Sequence, residues 1–133
     1  MILAIDPGRD KCGLALLDYQ KRVHRQEIIP TKELVLYLTP FFRKQAVDFL
    51  ILGDGTYSDA IKNKLEEITE LPVYLVEESR TTLLAEERYR QDHLYRGWRR
   101  ILAFIKSKPK RPVDDYVAII LAERFLEDND IGK

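Results

Sequence analysis

The feature that most constrains this fold is the alternation of short apolar runs with segments of helical periodicity. Apolar runs at residues 2–5, 47–53 and 72–76 predict buried strands, and the segments on either side of the middle run carry apolar residues at helical spacing. Strand–helix–strand crossovers join parallel strands of one sheet. The pattern therefore predicts an α/β fold, and 133 residues are enough for one domain, residues 1–133.

Two further strands are predicted near the N-terminus. Residues 2–6 and 12–18 form a hairpin, and residues 22–29 form a polar third strand that suits a sheet edge. The predicted order is β-β-β-α-β-α-β-α-α, a mixed five-stranded sheet with helices on both faces. Pro40 leaves two alternatives: it breaks or kinks the first helix, or it lies in the first turn of a second one.

Carboxylates follow three of the predicted parallel strands. Asp6 ends the first strand, Asp54 follows the fourth, and Glu77-Glu78 follow the fifth. Ligands of open α/β sheets bind where the carboxyl ends of such strands meet. Each residue taken alone also suits an ordinary turn or helix start. Their coincidence at one edge favours a functional site.

The last predicted helix, opened by Pro112, adds another carboxylate. Its apolar face is centred on Val113, Val117 and Leu121, and Asp114 lies on the flank of that face. Asp115 is rotated away by the ~100° step of a helix, which predicts that it faces solvent or caps. Clustered carboxylates of this kind suit Mg²⁺ or Mn²⁺, and a pair of such ions can activate water for phosphodiester hydrolysis.

Basic residues are concentrated between Arg88 and Arg111, in a chain whose net charge is zero. Nine cations in this stretch stand against the single acid Asp92, with aromatic residues between them. This composition predicts phosphate contacts and stacking on unpaired bases. The alternative is a solvated segment whose apolar residues pack on the core. The two interpretations are compatible, because the apolar residues can anchor the segment while the cations face outward.

Composition disfavours disulfide-bonded, cysteine-zinc, membrane-spanning and secreted proteins. Cys12 is the only cysteine, so an intramolecular disulfide is excluded and a cysteine-based zinc site is disfavoured. No apolar run reaches membrane-spanning length, and Asp6 interrupts the apolar core that a signal peptide needs. By elimination we expect a reducing, cytoplasmic setting and no membrane partner.

Several of these residues together resemble a known family. Ile5-Asp6-Pro7-Gly8, then Gly13-Leu14-Ala15, then the stretch from Glu77 to Thr82, then Val113-Asp114, are similar in order and spacing to the YqgF type of RuvC-like Holliday-junction resolvases. These belong to the RNase H-like superfamily, and the resemblance covers nearly the whole chain. It implies an RNase H-like domain that acts as a Mg²⁺- or Mn²⁺-dependent endonuclease on branched DNA or structured precursor rRNA.

The resemblance also implies the residues of the site. Asp6, Glu78 and Asp114 match the family's catalytic, metal-binding carboxylates. The predicted nucleic-acid contacts are Lys11, Arg80, Thr81, Thr82, Arg96, Arg99, Arg100, Lys108, Lys110 and Arg111. Ser79 departs from the family's arginine, and Val117 stands where true junction resolvases have a further carboxylate. Whether Asp54, Glu77 or Asp115 adds to the site stays open.

Two other functions remain as alternatives. A non-catalytic nucleic-acid-binding protein on the same fold would bind without Asp6 or metal. An ATPase of the actin and sugar-kinase type also begins with Asp-x-Gly, but it needs two such domains and this chain supplies one. Junction-cutting enzymes commonly act in pairs, so a homodimer is compatible with the resemblance, although the sequence shows no evident dimer helix.

Overall fold

The computed structural model describes residues 1–44, 47–93 and 112–131. Within these ranges the predicted order of strands and helices is confirmed. The elements are β1 (Ile2–Asp6), β2 (Lys11–Leu17), β3 (Val23–Pro30), α1 (Leu34–Lys44), β4 (Phe49–Gly53), α2 (Ser58–Glu66), β5 (Val73–Val76), α3 (Thr81–His93) and α4 (Asp114–Asp128).

The strands form one mixed sheet in the order β3-β2-β1-β4-β5. β1, β4 and β5 run parallel, whereas β2 is antiparallel to both β1 and β3. Asp6 pairs with Gly13, and Gly53 pairs with Val76. The last residues of β1, β4 and β5 therefore lie at one edge, and the polar strand β3 is an outer strand as predicted.

Helices cover both faces of the sheet. Successive side chains of a strand point to opposite faces, so the apolar residues of β1 contribute to both clusters. Ile2 and Ala4 of β1 pack in a cluster with α3 and α4, whereas Leu3 and Ile5 pack with α1 and α2. Cys12 of β2 is fully buried in the second cluster. Of the helices in the described ranges, none has the length and apolarity that crossing a membrane requires.

The structure fixes where three of the helices begin and resolves the alternatives for Pro40. α1 runs through Pro40 as one helix, so no second helix begins there. Thr31 precedes α1 in a 3-10 turn, where its buried hydroxyl donates to Gly8 O at 2.8 Å. Ser58 is the buried first residue of α2, and Tyr57 takes the N-cap position without a side-chain hydrogen bond. α4 begins at Asp114, two residues after Pro112.

Candidate active site

Three carboxylates from distant parts of the chain meet at the carboxyl edge of the parallel strands. Asp6 is the last residue of β1, Glu78 lies in the loop between β5 and α3, and Asp114 is the first residue of α4. The carboxyl of Asp6 lies close enough to Glu78 and Asp114 for both to raise its pKa. The structure thus brings together the three residues that the resemblance implies.

Glycines provide the space in which these carboxylates lie. A Cβ on Gly13 would come 1.8 Å from the backbone oxygen of Asp114, so the first turn of α4 lies directly against the backbone of β2. A Cβ on Gly53 or Gly55 would come 2.0 or 2.4 Å from a carboxylate oxygen of Glu78. This role for the glycines was not predicted, although Gly-Asp-Gly after a strand was a visible signal.

The loop that carries Glu78 is fixed by hydrogen bonds to its backbone. Asp54 Oδ1 accepts the Glu78 N–H at 3.0 Å. Thr81 donates its N–H and its hydroxyl to the Glu78 carbonyl, at 3.1 and 2.7 Å. Thr81 is buried at the start of α3, so its hydroxyl supports this loop. Asp54 likewise acts on the Glu78 backbone.

The close approach of the carboxyls strongly perturbs their titration. Burial, the hydrogen bond and charge of Glu78, and the nearby Asp114 raise the pKa of Asp6 to about 9. Burial also raises the pKa of Glu78; the hydrogen bond with Asp6 opposes this shift, and the charge of Asp54 adds to it. At neutral pH Asp6 therefore keeps its proton unless a positive charge compensates for the neighbouring carboxylates.

The site has features that fit a divalent cation. Oε1 of Glu78 and Oδ2 of Asp114 are buried and receive no hydrogen bond. Lys11 Nζ lies 3.6 Å from Asp114 Oδ2, an ion-pair distance that is too long for a hydrogen bond. Unpaired carboxylate oxygens beside a protonated acid are the hard ligands that Mg²⁺ and Mn²⁺ prefer.

One observation runs against a preformed cation site. In residues 1–44, 47–93 and 112–131, no three His, Cys, Asp or Glu side chains form a ready-made metal cluster. Asp6 is also held protonated at neutral pH by its burial and by the neighbouring carboxyls. Binding therefore requires Asp6 to give up its proton as the ion enters.

Asp6 makes the stability of the metal-free protein depend on pH. The unfolded chain releases this proton near pH 3.8, whereas the folded chain keeps it up to about pH 9. Between these values the folded state binds more protons, so this group lowers the free energy of unfolding as the pH rises. We expect Asp6→Asn to stabilise the metal-free protein at pH 8 by about 1–3 kcal/mol, and by much less at pH 4.

Thermal melting of wild type and Asp6→Asn in EDTA, at pH 4 and pH 8, measures this difference. Comparing the two proteins at each pH cancels the titration of the groups that do not interact with Asp6, so the difference reports Asp6 together with its neighbour Glu78. A variant that melts below wild type at pH 8 would contradict the strain assigned to the Asp6 carboxyl.

Asp115 does not lie where the sequence predicts. It is 4% exposed, and its carboxylate accepts a hydrogen bond from Gln26 Nε2 at 2.9 Å. The prediction that it faces solvent or caps is wrong, because α4 packs against β1, β2 and β3 as well as α3. At this level the helix has no solvent face. Val117, also buried, is a core residue beside it.

The predicted nucleic-acid contacts are only partly within the described residues. Lys11, Arg80 and Thr82 are exposed around the carboxylate edge, and Arg80 has a left-handed backbone with φ of 62°. Arg88 pairs with Glu123 across α3 and α4. Glu77 is exposed. The remaining predicted contacts, Arg96, Arg99, Arg100, Lys108, Lys110 and Arg111, lie outside the described residues.

Comparisons with known proteins agree with this architecture. No protein-family model matches the chain. A Parabacteroides distasonis protein named "Putative pre-16S rRNA nuclease" is 26% identical over 139 residues, covering 95% of this chain and 94% of its own length. A Bacteroides fragilis protein of the same name is also 26% identical, with 95% of each chain covered. The resemblance to the YqgF-type, RuvC-like family is confirmed.

Solved structures show the same fold. Thermus thermophilus RuvC superposes with a TM-score of 0.53 at 15% identity, covering 91% of this chain and 89% of its own. T. thermophilus RuvC in complex with a Holliday junction substrate gives 0.57 at 18% identity, with 97% and 95% covered. The predicted RNase H-like fold, with its five-stranded mixed sheet, is confirmed by these neighbours.

Proposed function

We propose that this protein is a divalent-metal-dependent endonuclease that hydrolyses phosphodiester bonds of structured nucleic acid. The observation that carries the proposal is the convergence of Asp6, Glu78 and Asp114 at the carboxyl edge of the sheet, where oxygens of Glu78 and Asp114 are buried without a hydrogen-bond partner. The names of the relatives and the RuvC-like fold support a nuclease. Because those names specify pre-16S rRNA, precursor rRNA is the first substrate to test, and branched DNA is the second.

Asp6, Glu78 and Asp114 would hold Mg²⁺ or Mn²⁺ through their carboxylate oxygens. A bound ion of this kind lowers the pKa of water and stabilises the leaving oxygen of a phosphodiester. The protein contributes the convergence of the carboxyls: Gly13 and Gly53 let the backbone approach closely enough for them to meet. The unpaired oxygens of Glu78 and Asp114 are already buried, so they would be available to a cation once Asp6 gives up its proton.

Exposed groups around the carboxylates are suited to the phosphate backbone. Lys11 lies beside Asp114, and Arg80 and Thr82 follow Glu78 in the chain. Cations close to clustered carboxylates can draw a polyanion toward a site that would otherwise repel it. Lys11 therefore has two roles in this proposal: it offsets the negative charge of Asp114 and it orients a phosphate.

Cleavage assays with both substrate classes test the proposal. A precursor 16S rRNA transcript and a four-way DNA junction are each incubated with the protein in Mg²⁺ and, in parallel, in EDTA. We expect cleavage of at least one substrate in Mg²⁺ and none in EDTA. Cleavage of neither substrate would overturn the proposed activity.

A non-catalytic nucleic-acid-binding protein is the second candidate. The observation that favours it is the replacement of the further carboxylate by the buried Val117, while Asp115 is held by Gln26. This candidate predicts salt-sensitive binding of the same substrates in EDTA and no cleavage in Mg²⁺. Filter binding in EDTA, set beside the cleavage assay, separates the two functions.

A further inference from the structure

Glu78 differs from the other two carboxylates in the way it is held. Asp6 belongs to a strand of the sheet and Asp114 to a helix, whereas Glu78 lies in the loop of residues 77–80. A ligand on a loop must be oriented by contacts from outside it, because loop backbone is less constrained than a strand or helix.

One arginine side chain holds the backbone on both sides of Glu78. Arg124 Nη1 donates to the carbonyl of Glu77 at 2.8 Å, and Arg124 Nη2 donates to the carbonyl of Ser79 at 2.6 Å. The two acceptors immediately flank the residue whose side chain enters the site. Since the guanidinium is planar and its nitrogens are rigidly spaced, the two bonds fix the relative orientation of both peptide groups.

The backbone beside this contact is strained. Arg80, directly after Ser79, has φ of 62°, a left-handed conformation that a residue with a Cβ disfavours. Strain of this kind persists only when surrounding contacts over-determine it. The bonds of Arg124 to Glu77 and Ser79 and those of Thr81 to the Glu78 carbonyl are such contacts.

We infer that Arg124 is a positioning residue, which sets the Glu78 carboxylate for cation binding by bridging the carbonyls of residues 77 and 79. The inference rests on the proposed function, because it assumes that Glu78 binds the ion. Arg124 lies on α4, the helix that begins with Asp114, ten residues or about 15 Å along the helix axis. One helix therefore provides one carboxylate directly and orients a second through the backbone. The guanidinium also contacts Ser79, the position at which the chain lacks the family's arginine.

Binding of Mn²⁺ alone, measured by calorimetry and by electron paramagnetic resonance, tests this inference apart from catalysis. We expect Arg124→Gln to weaken Mn²⁺ affinity about tenfold, as loss of a group that orients a metal ligand typically does. Arg124→Lys keeps the positive charge but loses the two rigidly spaced N–H donors of the guanidinium. Its Mn²⁺ affinity is therefore expected to lie between those of wild type and Arg124→Gln. In the cleavage assay, the Mg²⁺ concentration for half-maximal rate should rise by the same factor.

Arg88→Gln is the matched control. Arg88 also joins α3 to α4, but its hydrogen bond and ion pair go to Glu123 and not to the carbonyls of residues 77–80. We expect Arg88→Gln to bind Mn²⁺ as wild type does, even where its melting temperature falls. Measurements are made at a temperature at which circular dichroism shows every variant folded, and Arg124→Lys carries the test if Arg124→Gln does not fold.

Two results would overturn the inference in distinguishable ways. If wild type binds Mn²⁺ and both Arg124 variants bind it equally well, Arg124 only stabilises the fold and the proposed function stands. If wild type binds no Mn²⁺, the metal-dependent function fails, and the positioning role fails with it.

Discussion

Asp6→Asn is expected to reduce metal-dependent cleavage about 10³-fold while the protein remains folded. Both other carboxyls raise the pKa of Asp6, so Asp6 is the central group of the site. An amide keeps the shape of the carboxyl but cannot balance the charge of a divalent ion. Loss of several kcal/mol of cation and transition-state stabilisation corresponds to roughly three powers of ten in rate. Single-turnover cleavage in Mg²⁺ at saturating enzyme measures this loss.

Asp6→Asn is expected to raise the stability of the metal-free protein and to lower the cleavage rate. Because the two effects have opposite signs, a loss of activity cannot be attributed to unfolding. A variant that melts above wild type in EDTA, yet cleaves a thousandfold more slowly, has lost chemistry and not structure. Asp10→Asn is the matched control, because Asp10 is an exposed acid in the neighbouring turn and pairs with Arg9. If Asp6→Asn and Asp10→Asn lose cleavage activity equally, the removal of one negative charge from this region, and not the loss of the Asp6 site, controls the rate.

The sequence predicted the architecture because its apolar pattern determines it. Alternating strand and helix segments required β1, β4 and β5 to run parallel, and parallel strands bring their carboxyl ends together. Asp6 and the Glu77-Glu78 pair could be placed at one edge on that basis alone, and the family resemblance then selected Glu78. Asp114 could be placed by its angle on the helix. Their convergence thus follows from periodicity and chain order.

The errors and omissions have a common physical origin in tertiary packing. The prediction for Asp115 assumed a helix with one buried face, but residues 115–122 of α4 are all buried between the sheet and α3. Helical periodicity does not reveal a helix covered on both sides. The role of Arg124 was missed for a related reason, since its partners are backbone carbonyls more than forty residues away. No side-chain pattern encodes such a contact.

Gly13→Ala is expected to destabilise the protein strongly, because Gly13 packs against the backbone at the start of α4. Its ideal Cβ would lie 1.8 Å from the Asp114 oxygen and 2.7 Å from the Asp115 nitrogen, both backbone atoms at the start of α4. Backbone atoms cannot rotate away, so Gly13→Ala must push the helix from the sheet. We expect the free energy of unfolding to fall by about 3 kcal/mol, the upper end for an overpacked core. Urea unfolding at pH 7 in EDTA measures this change.

Gly53→Ala is the matched control because its Cβ would meet the end of a side chain. The carboxylate of Glu78 lies 2.0 Å from that position and can swing aside, while alanine suits a strand better than glycine. We therefore expect a loss of under about 1 kcal/mol in stability but a marked loss of Mn²⁺ affinity. Gly13→Ala should instead lower stability first, since it moves the whole start of α4. If Gly13→Ala and Gly53→Ala lower the free energy of unfolding by the same amount, the backbone contact between β2 and α4 is not the one that holds Asp114 at the site.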